Sequence, residues 1–173
     1  VCGSDIHTYE GHYNVAVPVT LGHEFSGEVV EVGEGVTEFK PGDRVTSETT
    51  FYICGECDYC KSVDHNLCNH RKGLGTKPDG GVTNYLIARK ESVHLLPENV
   101  DYQSASMTEP LACTYHAVEK TEIHEGDITV VIGPGPIGLL TAQVAKSRGA
   151  TVIITGLTND KVRLEKAKEL EIY

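Results

Sequence analysis

The chain has 173 residues, 39% of them apolar, which suits one ordinary soluble domain or two small pieces and contains no run of transmembrane length. With 25 acidic against 15 basic side chains the formal net charge is −10, which argues against the clustered Lys and Arg of a nucleic-acid surface. A small-molecule partner is expected, with no nucleic acid and no membrane, and a single cofactor phosphate held by backbone amides stays compatible with the charge.

From the start of the chain, Cys2-Gly3-Ser4-Asp5-Ile6-His7 gathers a thiol, a hydroxyl, a carboxylate and an imidazole within six residues. Gly22-His23-Glu24 then sets two possible ligands side by side before Phe25 to Val32, a valine-rich stretch that predicts a strand with a bulge at Gly27. Gly33-Glu34-Gly35 and Pro41-Gly42-Asp43 predict turns, and Arg44 to Thr46 a second strand. Gly80-Gly81 punctuates the chain before another strand-like run, Val82 to Ala88. Many short strands joined by glycine turns predict a small barrel-like β domain. A cysteine lobe, 51–70, is inserted in it with too few apolar residues to hold itself together.

After Pro97 the character changes. Asp101 to Ala105 and Pro110 to Lys120 predict helices, the second with Leu111, Tyr115 and Val118 near helical spacing. A bare apolar strand, Ile128 to Ile132, leads into Gly133-Pro134-Gly135-Pro136-Ile137-Gly138. A helix follows from Ile137 to Arg148 with Ile137, Leu140 and Val144 on one stripe and Gly149 as its stop. Thr151 to Thr155 predicts a second buried strand, and Asp160 to Leu170 a further helix. This alternation opens a parallel doubly wound sheet. The expected class is therefore α/β: residues 1–111 form the β domain with its lobe, and 112–173 part of a Rossmann nucleotide-binding domain.

The strongest chemical signal is Cys54-x2-Cys57-x2-Cys60-x7-Cys68. With no secretory leader ahead of Cys2, such crowding fits thiolates on one metal better than disulfides, and a reducing, cytoplasmic compartment is expected. A chain that opens on Val1 is at the same time no plausible native start. Four thiolates suit zinc, and a closed set leaves no room for substrate, so the site is expected to be structural. The rival is an iron–sulfur cluster, whose fourth cysteine comes sooner and precedes proline, whereas Asn69 follows Cys68 here.

Gly133, Gly135 and Gly138 form G-x-G-x-x-G between a strand and a helix, the context in which that motif binds a dinucleotide. The acid that grips the ribose of NAD belongs at the end of the next strand, but Thr155-Gly156-Leu157 stands there, with no carboxylate before Asp160. The absence at Gly156 leaves room for the extra phosphate of NADP, which Thr158, Lys161 or Arg163 could contact; the choice between NADP and NAD stays open at this level.

In that order, Cys2-Gly-Ser-Asp-x-His7, Gly22-His23-Glu24, the four-cysteine lobe, Glu109-Pro110-Leu111 and Gly-x-Gly-Pro-Ile-Gly, the chain resembles the zinc-containing medium-chain alcohol and polyol dehydrogenases, cut short at both ends. It stands nearest the sorbitol (L-iditol) and threonine dehydrogenase branch. The resemblance implies a GroES-like barrel carrying two zincs per chain, followed by the first part of a Rossmann sheet. It implies Cys2 and His23 as catalytic-zinc ligands, Glu24 as ligand or outer carboxylate, and Glu109 as a further ligand. Asp5 would orient His23, Ser4 would bond the substrate hydroxyl, and His7 would pass a proton to solvent. Gly133, Gly135, Pro136, Ile137, Gly138 and Gly156 would face the cofactor. Cys113 matches no ligand position and is expected to be a buried, inert thiol.

The implied activity is hydride transfer between a secondary alcohol or sorbitol-like polyol and NADP or NAD, in a full-length parent that is a dimer or tetramer. The isolated chain is expected to be poorly active. Two rivals are a non-enzymatic zinc-binding interaction module, with Arg71, Lys72 and Lys77 as a basic patch, and an inactive relative or fragment. The overall acidity and the glycine loop count against the first, and the retained Cys2, His23, Glu24 and Glu109 against a relative that has lost catalysis.

Overall fold

A computed structural model describes residues 1–62 and 64–173; position 63, within the lobe, lies outside the described residues. The chain divides into two units, Val1–Glu109 and Pro110–Tyr173. The elements run α1 (Gly3–Tyr9), β1 (Ser26–Glu28), β2 (Arg44–Ser47), β3 (Thr50–Tyr52), α2 (Asp58–Lys61), β4 (Lys72–Gly73), β5 (Val93–Leu95), α3 (Tyr102–Ala105), α4 (Thr108–Lys120), β6 (Ile128–Ile132), α5 (Pro136–Ser147), β7 (Thr151–Thr155) and α6 (Lys161–Glu169).

In the first unit β1, β2 and β5 form an antiparallel sheet in that order, with Gly27 opposite Val45 and Val45 opposite Leu95. β3 pairs with β4. Several buried positions here are polar, and their hydroxyls are hydrogen-bonded as burial demands. Thr46 donates to Phe25 O at 2.9 Å and Ser92 to Thr50 O at 2.8 Å. Asp101 caps α3 by accepting from Ser104 N at 2.7 Å, and that bond holds its carboxyl below the usual range. Arg44 lies over the Tyr102 ring, 4.9 Å from its centre.

Two strand expectations are corrected. The run from Phe25 to Val32 forms a ladder only at Ser26–Glu28, with a short continuation where Val29 and the Gly42–Asp43 backbone exchange two bonds of 2.9 Å. Beyond it the turn at Gly33 carries the chain away, and Val30 is exposed. Gly27 lies in regular register; the irregularity falls between Thr50 and Tyr52 instead. Val82 to Ala88 forms no strand among the described residues, and Val82, Tyr85 and Ile87 are exposed. A strand needs a neighbour along its length for its backbone groups, and among the described residues the ladder-like pairing of this segment stops at Val82, whose amide donates to Leu21 O.

Gly80 and Gly81 do something other than start a strand. Their amides and that of Val82 donate to Thr20 O, Gly22 O and Leu21 O at 2.7, 2.8 and 2.9 Å. So closely do the two backbones cross that a Cβ on Gly80 would lie 2.1 Å from Gly22 O. Gly22 itself has φ +95°, a conformation glycine adopts without strain.

In the second unit β6 and β7 pair in parallel over five residues, Ile128 opposite Thr151 through Ile132 opposite Thr155. One face of this pair buries Val131, Val152 and Ile154 against Ala142 and Ala145 of α5, Ala167 of α6 and Ile172. The small alanines let α5 approach the sheet closely. The stripe on α5 is therefore corrected: Val144 is buried, but the sheet-facing positions are Leu139, Ala142 and Ala145, and Ile137 is exposed. On α4 the buried positions are Pro110, Thr114 and Val118, a spacing of four, rather than Leu111 and Tyr115. Cys113 lies off that face and is exposed, contrary to the expectation of a buried thiol. Among the described residues no helix is long and apolar enough to cross a membrane.

Gly138 allows the strand–turn–helix to close. A Cβ there would sit 1.9 Å from Gly133 O. Gly138→Ala should therefore cost at the upper end of the ~1–3 kcal/mol of forced overpacking, because a carbonyl of a tight turn cannot step aside. A denaturant titration checks this, and an unchanged midpoint would mean that the turn relaxes freely.

Candidate metal centres and cofactor loop

In the lobe, α2 and a single 3₁₀ turn at His65–Leu67 fold four cysteines around one point. The Sγ atoms of Cys54 and Cys60 are 3.9 Å apart, Cys57 and Cys60 3.5 Å, and Cys54 and Cys68 3.7 Å. These are not disulfides, whose sulfurs sit about 2.0 Å apart. A zinc about 2.3 Å from each of four sulfurs makes tetrahedral edges of about 3.8 Å. The lobe matches that, and it is tighter than a multi-iron cluster, whose cysteines each take a different iron, would require.

Backbone amides arrange the thiols. Cys57 N donates to Cys54 Sγ at 3.4 Å and Cys54 N to Cys68 Sγ at 3.5 Å. The amides of Glu56 and Cys57 lower the Cys54 thiol to about 6, while burial, then competition from the neighbouring sulfurs, pushes Cys60 up to about 12. The lobe thus favours the thiolate form at Cys54 over Cys60. The basic residues beside it are engaged: Arg71 donates to Thr50 Oγ1 at 2.8 Å and Thr49 Oγ1 at 2.5 Å, and Lys72 lies over the Tyr52 ring.

The second centre lies at the start of the chain. Cys2 precedes α1, and its thiol, one ring nitrogen of His23 and one carboxylate oxygen of Glu24 all lie within 4.8 Å of one another. Asp5, buried on α1, links them. Its Oδ2 accepts from Cys2 N at 2.9 Å, and its Oδ1 accepts from Gly22 N at 3.1 Å and lies 3.3 Å from His23 Nδ1. One carboxylate thereby fixes the backbone of one candidate ligand and the ring of another, leaving His23 Nε2 for a metal. A borderline-soft ion suits this sulfur, nitrogen and oxygen set.

Ser4 and His7 follow on α1, Ser4 half-buried and His7 exposed. Glu109 stands in the first turn of α4 and is not among the atoms gathered around Cys2.

The glycine loop joins β6 to α5. Gly133 has φ +99°, and its amide donates to Thr155 O at 2.8 Å. Gly135 is the N-cap of α5 with no side chain satisfying the first amides, and Pro136 fills the first turn, where a missing N–H costs nothing. No atom lies within 4 Å of where a Cβ would stand on Gly133 or Gly135, so the turn is open above these glycines. Gly156, at the end of β7, is close to Pro134: a Cβ there would meet its ring at 2.9 Å.

The family described as the alcohol dehydrogenase GroES-like domain matches residues 1–98, more than half of the chain, and the chain belongs to it. Its relatives include a sorbitol dehydrogenase of Halalkalibacterium halodurans, 72% identical over 99% of this chain and 50% of that protein. A D-arabitol-phosphate dehydrogenase of Enterococcus avium is 58% identical over 98% of this chain and 49% of its own length. A crystal structure of a zinc-binding dehydrogenase from Sinorhizobium meliloti bound to NADP superposes with a TM-score of 0.87 at 37% identity, covering 95% of this chain and 49% of that one. The resemblance to the zinc-containing polyol dehydrogenases is thus carried along nearly the whole chain. The chain spans about half the length of the curated relatives it matches.

Proposed function

We propose that the chain supplies the metal centres and the first part of the cofactor site of a zinc-dependent oxidoreductase, which moves a hydride between a secondary alcohol or polyol and a nicotinamide cofactor. The observation that carries this reading is the convergence of Cys2, His23 and Glu24 with Asp5 behind them. When bound, zinc polarises the alcohol oxygen and eases loss of its proton, and the nicotinamide takes up the hydride. The chain's own residues hold and orient. Cys2 and His23 grip the ion, Glu24 is ligand or exchanging carboxylate, and Glu109 is a further ligand. Ser4 bonds the reacting hydroxyl, and His7, open to water, passes its proton out. The second zinc, held by Cys54, Cys57, Cys60 and Cys68, is structural.

Gly133, Gly135, Pro136, Ile137 and Gly138 present the amino end of α5 to the pyrophosphate, where unpaired amides favour negative charge. NADP is the preferred cofactor on this reading, because no acid stands directly after β7, the first being Asp160, and Thr158 and Lys161 stand just beyond Gly156. Arg163 is the weaker candidate for the extra phosphate, since it already faces Asp160 at 3.4 Å. The substrate class is polyols or their phosphates, as the relatives' names suggest. A cytoplasmic homo-oligomer is the assembly proposed.

Metal analysis tests the centre without relying on turnover. After removal of loose metal the chain should hold two zincs, and Cys2→Ser should leave one. A single zinc in the unaltered chain would favour the rival, a zinc-binding interaction module.

A further inference from the structure

We propose a third metal site, on the surface, formed by His7, Glu10 and His12 and suited to a borderline divalent ion such as Zn2+, whose occupancy would withdraw His7 from the proton path proposed above. The Nδ1 atoms of His7 and His12 are 3.4 Å apart. Glu10 Oε2 lies 3.5 Å from His12 Nδ1 and 3.8 Å from His7 Nδ1. An ion about 2.0–2.1 Å from nitrogen and oxygen ligands makes tetrahedral edges of about 3.3–3.4 Å, so the three atoms already outline one face of such a polyhedron. Two imidazoles and a carboxylate suit zinc, and imidazole also suits nickel and copper.

The backbone sets this arrangement before any ion arrives. At the end of α1, Glu10 N donates to Ile6 O at 2.9 Å, Gly11 N to Thr8 O at 3.1 Å and His12 N to His7 O at 2.8 Å. Gly11, at φ +80°, makes the reversal that returns His12 to the level of His7. The Tyr13 ring meets His7 edge-on at 5.8 Å and limits its rotation. The side chains of His7, Glu10 and His12 are 52%, 50% and 63% exposed, which leaves the remaining coordination position to water. Without an ion the two Nδ1 atoms can share one hydrogen bond, and that is the competing arrangement.

The test is calorimetric titration of Zn2+ into the chain already carrying its tightly held zinc. One further equivalent is expected. His12→Gln and Glu10→Gln should each weaken it by at least tenfold, since even outer partners of a metal commonly cost 10–100-fold, while the tightly held zinc is retained. Both side chains lie in solvent, so neither change opens the core. Absence of a further equivalent, or one of equal affinity in His12→Gln, overturns the site. Neither outcome bears on the centre at Cys2, whose zinc is counted separately.

Discussion

Asp5→Asn is expected to lower zinc affinity at the Cys2 centre by about 10–100-fold, the range found when a histidine ligand loses its outer carboxylate. The reason is specific to this geometry. The carboxylate accepts from Cys2 N through one oxygen, and through the other from Gly22 N and toward His23 Nδ1. An asparagine offers one accepting oxygen, so its amide nitrogen must face either the Cys2 N–H or both the Gly22 N–H and the histidine ring. Leaving a buried N–H unpaired costs about 1–3 kcal/mol, and the loss falls on the segments that present the ligands. Competition with a chromophoric chelator measures the affinity, and a thermal scan measures the fold. A lower melting temperature with unchanged zinc affinity would reduce Asp5 to a backbone staple and remove its role toward His23.

The second large effect is expected at the lobe. Cys57→Ser should release the structural zinc and open residues 51–70 to protease, with new tryptic cuts at Lys61, Arg71 or Lys72. Structural zinc in small peptides binds with an apparent ~10–16 kcal/mol, comparable to the ~5–15 kcal/mol that stabilises a whole domain. The lobe has little else to hold it: Cys54 and Cys57 are only half-buried, and Tyr52, Tyr59 and Leu67 are exposed. Serine cannot replace a thiolate at neutral pH, and three remaining sulfurs leave the ion open to exchange. Unchanged protection together with an unchanged zinc count would show that the lobe packs without the metal.

The sequence was most readable where a segment's fate depends on its own pattern. The bare runs Ile128–Ile132 and Thr151–Thr155 are strands with those bounds, and the glycines between strand and helix lie at the predicted turn. The β unit was less readable, because whether Phe25–Val32 or Val82–Ala88 becomes a strand depends on a neighbour that local composition does not reveal. The start of the chain shows the same limit. Residues 3–9 carry no apolar stripe, yet they form α1, whose first turn is tied by Asp5 to Cys2 N. The ordering of His23 by Asp5 follows from family likeness. That the same carboxylate also anchors Gly22 requires coordinates. Cys113 was misread because the thiol's chemistry says nothing of which face of α4 it occupies.

The crossing of Gly80 and Gly81 over residues 20–22 also couples two stretches that are remote in sequence. His23 and Glu24 inherit their position from a splint some 60 residues further along the chain. Damage at that crossing would therefore register first as a poorer grip on metal, and only afterwards as a loss of shape.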